Sequence, residues 1–224
     1  LILHDWGGMI GMAFAARHPG RIRRLVILNT AAFRLPPAKP FPWPLWLVRT
    51  PLGALLVRGF NLFSWTAARV CCRRRPLSPA LRAAYAAPYD GWANRIATLR
   101  FVQDIPLRQG DPSYAAVCEA EAGLPGLADR PLLLWWGERD FVFDRHFREE
   151  WERRFPAAEV QRFPDCGHYL LEDAGVSGWR AAINNVQRIK VSSLIIFILS
   201  LLSIYFFFLS RLNPVHAFFA DDNP

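Results

Sequence analysis

The chain opens on an apolar triplet, Leu1-Ile2-Leu3, that reads as a short strand, and Gly7-Gly8 permits a sharp turn after it. Apolar positions from Met9 to Arg17 (MIGMAFAAR) then recur at helical spacing until Pro19-Gly20 stops them. Arg24 to Asn29 (RLVILN) is apolar at successive positions, the pattern of a strand buried on both faces. Strand, helix and strand in this order predict a parallel βαβ unit, which needs helices on both faces of its sheet. The strand signal returns at Pro131 to Trp136 (PLLLWW). A helix from about His146 to Phe155 follows, then a short strand around Val160 to Phe163 and a last helix from near Leu170. Residues 34–128 begin Pro-rich (LPPAKPFPWP) and continue apolar and helical, so an inserted helical cap is expected there. The predicted organisation is α/β, with core at 1–33 and 129–174, cap at 34–128 and a tail at 175–224.

Three loops in this pattern carry candidate chemistry. His4-Asp5-Trp6-Gly7-Gly8 places an acidic residue between a short strand and a helix, the layout of a nucleophile elbow. The N–H groups that open the helix face such a site. A carboxylate there attacks while already ionised and leaves a covalent ester on the enzyme. Taken alone, Asp5 serves equally well as a helix cap. Trp136-Gly137-Glu138-Arg139-Asp140 follows a strand directly, so Asp140 falls at the strand's C-terminal end, the functional edge of a parallel sheet. Pro164-Asp165-Cys166-Gly167-His168-Tyr169 sets His168 at a tight turn on the same edge. The order Asp5, Asp140, His168 is nucleophile, acid, base.

Charge and composition change this picture little until the tail. The net charge is +8, with 27 basic against 19 acidic residues, but the arginines are scattered among Ala and Pro rather than gathered into a phosphate-binding stripe. No nucleic-acid partner is expected. Four Cys without paired spacing exclude a disulfide scaffold and a zinc finger. The mean hydropathy of +0.10 has its source at the other end. From Val191 to Ser210 no residue is charged, long enough for one bilayer core. A transmembrane helix over 191–210 is expected, with the N-terminal flank of Arg188 and Lys190 cytoplasmic. An apolar core helix and a junction of two unrelated reading frames near Gly175 are the alternatives.

The string HDWGGMIG, the GERD after a strand and the PDCGHYLLED segment resemble the haloalkane dehalogenase and epoxide hydrolase branch of the α/β-hydrolase superfamily. The cap segment APYDGWANRIATLRFVQDIPL (Ala87 to Leu107) is most similar to the third dehalogenase subgroup, which includes β-lactone-cleaving enzymes of long-chain olefin synthesis. The resemblance covers residues 1 to about 174. It implies Asp5 as nucleophile, His168 as the base that activates water, and Asp140 as the group that supports the imidazolium. It also implies Trp6 as an oxyanion donor through its backbone and a halide donor through its indole. Neither an organic cofactor nor a metal is implied. The substrate would be a small apolar molecule, an alkyl halide or a β-lactone, and a protein active on it would have a cytoplasmic catalytic part, membrane-anchored if the tail belongs to it. Alternatives are an epoxide hydrolase and an inactive fragment fused to a membrane anchor. The first strands of such a sheet, with the second oxyanion donor, are expected upstream of Leu1, and Leu3 is bulkier than the Gly usual at that elbow position.

Other residues are expected to be structural. Strand alternation turns His4 away from Asp5, and Cys71-Cys72 fit a helix end. Glu119 and Glu121 fit a solvated face. The aromatics Trp43, Trp46, Phe60, Phe63 and Trp65 fit a cap core or an apolar tunnel. Tyr85, Tyr89 and Tyr114 matter only if two of them converge to protonate an epoxide oxygen.

Overall fold

The computed structural model describes residues 1–175 and the backbone of 196–197. Its strands are β1 (Ile2–His4), β2 (Leu25–Leu28), β3 (Leu132–Gly137), β4 (Glu159–Phe163) and β5 (Ile196–Phe197). They form one sheet in the order β4-β3-β2-β1-β5, and every pairing is parallel. Every residue of β2 and β3 is buried, as continuous apolar strands require when both faces are covered. Alternation divides their side chains between two cores. Leu25, Ile27, Leu134 and Trp136 pack with Met12 and Ala15 of α1 (Trp6–Arg17) and Trp151 of α8 (Arg145–Arg154). Val26, Leu28, Leu133 and Trp135 pack on the other face with Phe163, Cys166 and Leu170, where a further helix opens.

Between β2 and β3 run α2 (Trp43–Val48), α3 (Pro51–Phe60), α4 (Leu62–Val70), α5 (Pro79–Ala86), α6 (Ile96–Gln103) and α7 (Tyr114–Gly123). Proline at the first helical turn and a capping hydroxyl start two of them. Thr50 accepts from the Gly53 N–H and Ser78 from the Leu81 N–H. The turn between α2 and α3 depends on Gly53, because a Cβ there would lie 1.8 Å from the Leu47 carbonyl oxygen. Cys71 caps the C-terminal end of α4 as expected.

The last part of the expected cap behaves as core. Helix α7 packs on α1, with Gly123 against Ala16, and Leu124 and Leu127 join the core below β1 and β2. Apolar periodicity alone does not say which neighbour a helix covers. Glu121 also departs from expectation. Its carboxylate is only 14% exposed and is held by Arg34 and Arg154, tying α7 to α8. The apolar run 191–210 lies outside the described residues, apart from the backbone of β5 beside β1. Among the described residues no helix is long and apolar enough to cross a membrane.

Candidate active site

Asp5 sits between β1 and α1 with φ +50° and ψ −132°, a backbone conformation that a non-glycine residue adopts at a cost. The surroundings hold it there. Its N–H donates to the Asn29 carbonyl at 3.3 Å, and its own carbonyl accepts from the Gly8 N–H at 2.9 Å and from the Thr30 hydroxyl. Thr30 comes so near that a Cβ on residue 8 would lie 1.9 Å from its Oγ1, so only glycine fits. The expected difficulty with Leu3 is resolved in the same way. Its buried side chain occupies the space a Cβ on Gly11 would take, 2.4 Å from that position.

The ends of β3 and β4 bring the other two groups to this elbow. Asp140 is buried, and its Oδ2 lies 2.7 Å from Nδ1 of His168, while its Oδ1 accepts from the Val142 N–H. Nε2 of His168 lies 3.8 Å from Oδ1 of Asp5. One imidazole thus lies between two carboxylates. Burial by itself lowers its pKa, but Asp140 and Asp5 outweigh that and push it up to about 9. Burial raises the Asp5 carboxyl, opposed by His168 and by a hydrogen bond from the Trp6 N–H. An imidazolium between two carboxylates can stabilise negative charge on either of them.

Asp5, Trp6 and His168 line a common cavity of about 330 Å³, whose other walls are mostly apolar side chains, among them Leu47 of α2, Val57 of α3, Phe63 of α4, Phe101 of α6 and Phe143 of the loop after β3. Trp6 lies with its ring 5.0 Å from that of Phe101. The three tyrosines are not among the lining residues, and Tyr85 instead donates to Glu172 and stacks on Tyr169. Of the cap aromatics, Phe63 and Trp43 line the cavity, whereas Trp43, Trp46, Phe60 and Trp65 are exposed rather than core. No cluster of His, Cys, Asp or Glu among the described residues could hold a metal ion.

Four supporting residues carried no sequence signal. His4 is buried and donates from Nε2 to the His168 carbonyl at 2.8 Å, and burial and the nearby imidazolium lower its pKa to about 3, so it stays neutral. Asn29, at the end of β2, exchanges side-chain hydrogen bonds with the Gly137 backbone and so joins the elbow to the Asp140 loop. Thr30 is the third. The fourth is Asp173, whose carboxylate accepts from the backbone N–H groups of Arg73, Arg74, Arg75 and Gly167 at 2.7–2.8 Å. It fastens the loop of His168 to the segment that leaves α4.

A sequence model of the α/β hydrolase fold matches residues 1–175. The chain belongs to that family. Within the α/β hydrolases it lies in the haloalkane dehalogenase-like group. It is 58% identical over 175 residues to a cis-3-alkyl-4-alkyloxetan-2-one decarboxylase of Shewanella oneidensis, covering 78% of this chain and 55% of that one. A haloalkane dehalogenase of Mycobacterium marinum is 31% identical over 181 residues, covering 78% and 57%. The crystal structure of haloalkane dehalogenase DbeA from Bradyrhizobium elkani superposes with a TM-score of 0.68 at 26% identity, over 83% of this chain and 68% of that one. The chain spans just over half the length of the curated relatives it matches.

Proposed function

We propose that this protein opens and decarboxylates an apolar β-lactone, a cis-3,4-dialkyl-oxetan-2-one, with Asp5 as nucleophile. The observation that carries the reading is an Asp–His–Asp arrangement on an apolar cavity, in a chain far more similar to a decarboxylase of such lactones than to a dehalogenase. Asp5 Oδ attacks C4, the alkyl-bearing ring carbon joined to the ring oxygen, and the C4–O bond breaks so that its electron pair leaves C2 as a free carboxylate. The bond from that carboxylate to its neighbouring carbon then breaks. Its electrons form the alkene, and the Asp5 ester oxygen departs with the pair that bound it. Lactone becomes alkene and carbon dioxide, and Asp5 is regenerated without water. His168, kept cationic by Asp140, compensates charge on Asp5 at the start and the end.

A second reading, dehalogenation, is favoured by Trp6 on the cavity wall beside Asp5, where its indole N–H would hold a departing halide. There His168 acts after alkylation of Asp5, as the base for water. One experiment separates the two: dialkyl-oxetanones and 1-bromoalkanes are supplied in turn, and alkene, carbon dioxide and bromide are measured. Alkene with Asp5-dependent turnover is the expected result. Bromide without alkene transfers the chain to the second reading. Wild-type turnover by Asp5→Asn removes Asp5 as nucleophile from both.

A further inference from the structure

We propose that the cap docks on the surface of an anionic phospholipid bilayer through α2, α3 and α4, with the mouth of the cavity turned toward the lipid. The observation is an apolar ridge that the protein does not bury. Trp43, Trp46, Leu55, Phe60, Leu62 and Trp65 are all at least 40% exposed within 23 residues of chain, where scattered single exposures are the norm. The spacing of Trp43 and Trp46 on α2, and of Leu62 and Trp65 on α4, puts each pair on one helix face.

Charge identifies the occupant. Residues 41–70, which carry the ridge, include Arg49, Arg58 and Arg69 and not one Asp or Glu. All three of these cations stand over exposed indoles, two of them in the ridge itself. Arg49 lies 6.0 Å from the Trp46 ring, Arg58 lies 4.3 Å from Trp92 and Arg69 lies 3.4 Å from Trp65. Among the described residues none of the three is joined to a carboxylate. Indoles settle at the boundary between headgroups and acyl chains, and arginine lays its stem on apolar surface while its head reaches phosphate. An anionic bilayer supplies an apolar layer beneath a plane of negative charge, the complement of this face.

The ridge also continues into the site. Trp43 and Leu62 are exposed on the outside and line the cavity on the inside. An apolar substrate dissolved in the membrane would reach Asp5 without crossing water. That consequence rests on the function proposed above; the docking itself does not. It is also separate from any anchoring by residues 191–210.

The test uses the full chain without substrate, so its failure is distinct from failure of the proposed reaction. Binding to vesicles of phosphatidylglycerol and phosphatidylcholine is compared with binding to phosphatidylcholine alone, and amide exchange is followed over residues 43–69. Slower exchange there, only with the anionic vesicles, is expected. Arg58→Gln with Arg69→Gln should weaken binding by about fivefold per arginine. Phe60→Glu with Trp65→Glu should weaken it by about tenfold or more. All four side chains are exposed or half-exposed, so an unchanged thermal melt is the check on folding. Protection confined to the region beyond 175, or variants that bind like wild type, would overturn the proposal. So would equal binding to neutral vesicles, or protection of the ridge only by a partner protein.

Discussion

Asp173 offers the sharpest test of how the site is held. Its carboxylate is fully buried and accepts four backbone N–H groups, three from residues 73–75 and one from Gly167, the neighbour of His168. Hydrogen bonds to a charged group contribute about 1.5–3 kcal/mol each, while desolvating the carboxylate costs several. Removing it strands four donors at once, so Asp173→Ala should destabilise the fold by about 3–5 kcal/mol, as breaking a buried charged pair does. The isosteric Asp173→Asn is the more telling change. All four partners are donors, and an amide offers one acceptor oxygen while setting an NH₂ against the other two N–H groups. It should still cost about 2–4 kcal/mol. Urea unfolding followed by circular dichroism measures this. With a slope of about 2 kcal/mol per molar, the midpoint should fall by about 1–2 M. Where the alanine variant fails to fold, the asparagine variant carries the comparison. A midpoint for Asp173→Asn indistinguishable from wild type would show that acceptor chemistry at this position is not what joins the two loops.

Three further outcomes are expected. The pKa of His168 is pushed up from 6.5 to about 9, so its contribution is complete below pH 6.5 and is lost as pH rises through 9, on the order of 3 kcal/mol. His4, lowered to about 3, contributes above pH 6.5 and loses that contribution as pH falls. Urea midpoints measured across pH should therefore peak near 6.5, and His168→Gln should flatten the alkaline side. Gly8→Ala should cost about 3 kcal/mol or more, since the new Cβ meets Thr30 at its branch point and the elbow cannot yield; thermal unfolding reads it. Asp5→Asn should be more stable than wild type at alkaline pH, because burial penalises the ionised carboxylate there and asparagine also tolerates positive φ. Equal melting temperatures at pH 8 would contradict that.

Much of the core could be read from local pattern. The runs RLVILN and PLLLWW became β2 and β3 because uninterrupted apolar sequence suits strands covered on both sides, and glycine and proline marked the turns around them. Asp5, Asp140 and His168 were legible for the same reason: each lies just past a strand, and parallel strands deliver their C-terminal ends to one edge. Where the expectation differed from the structure, the missing information was non-local. Helix α7 has the apolar content of a cap helix, and its place on α1 follows from the contact of Gly123 with Ala16, over a hundred residues apart.

The sequence by itself therefore determined the order of the elements and the three loops that carry ionisable groups, because strand period, helix stop and turn chemistry act over a few residues. Only the tertiary structure decided how those groups work. It brought His168 between two carboxylates, set His4 against its carbonyl and closed four backbone donors on Asp173. It also left the indoles of α2 and α4 facing outward. Each of these depends on desolvation and on distances between segments far apart in the chain, quantities that no local pattern encodes.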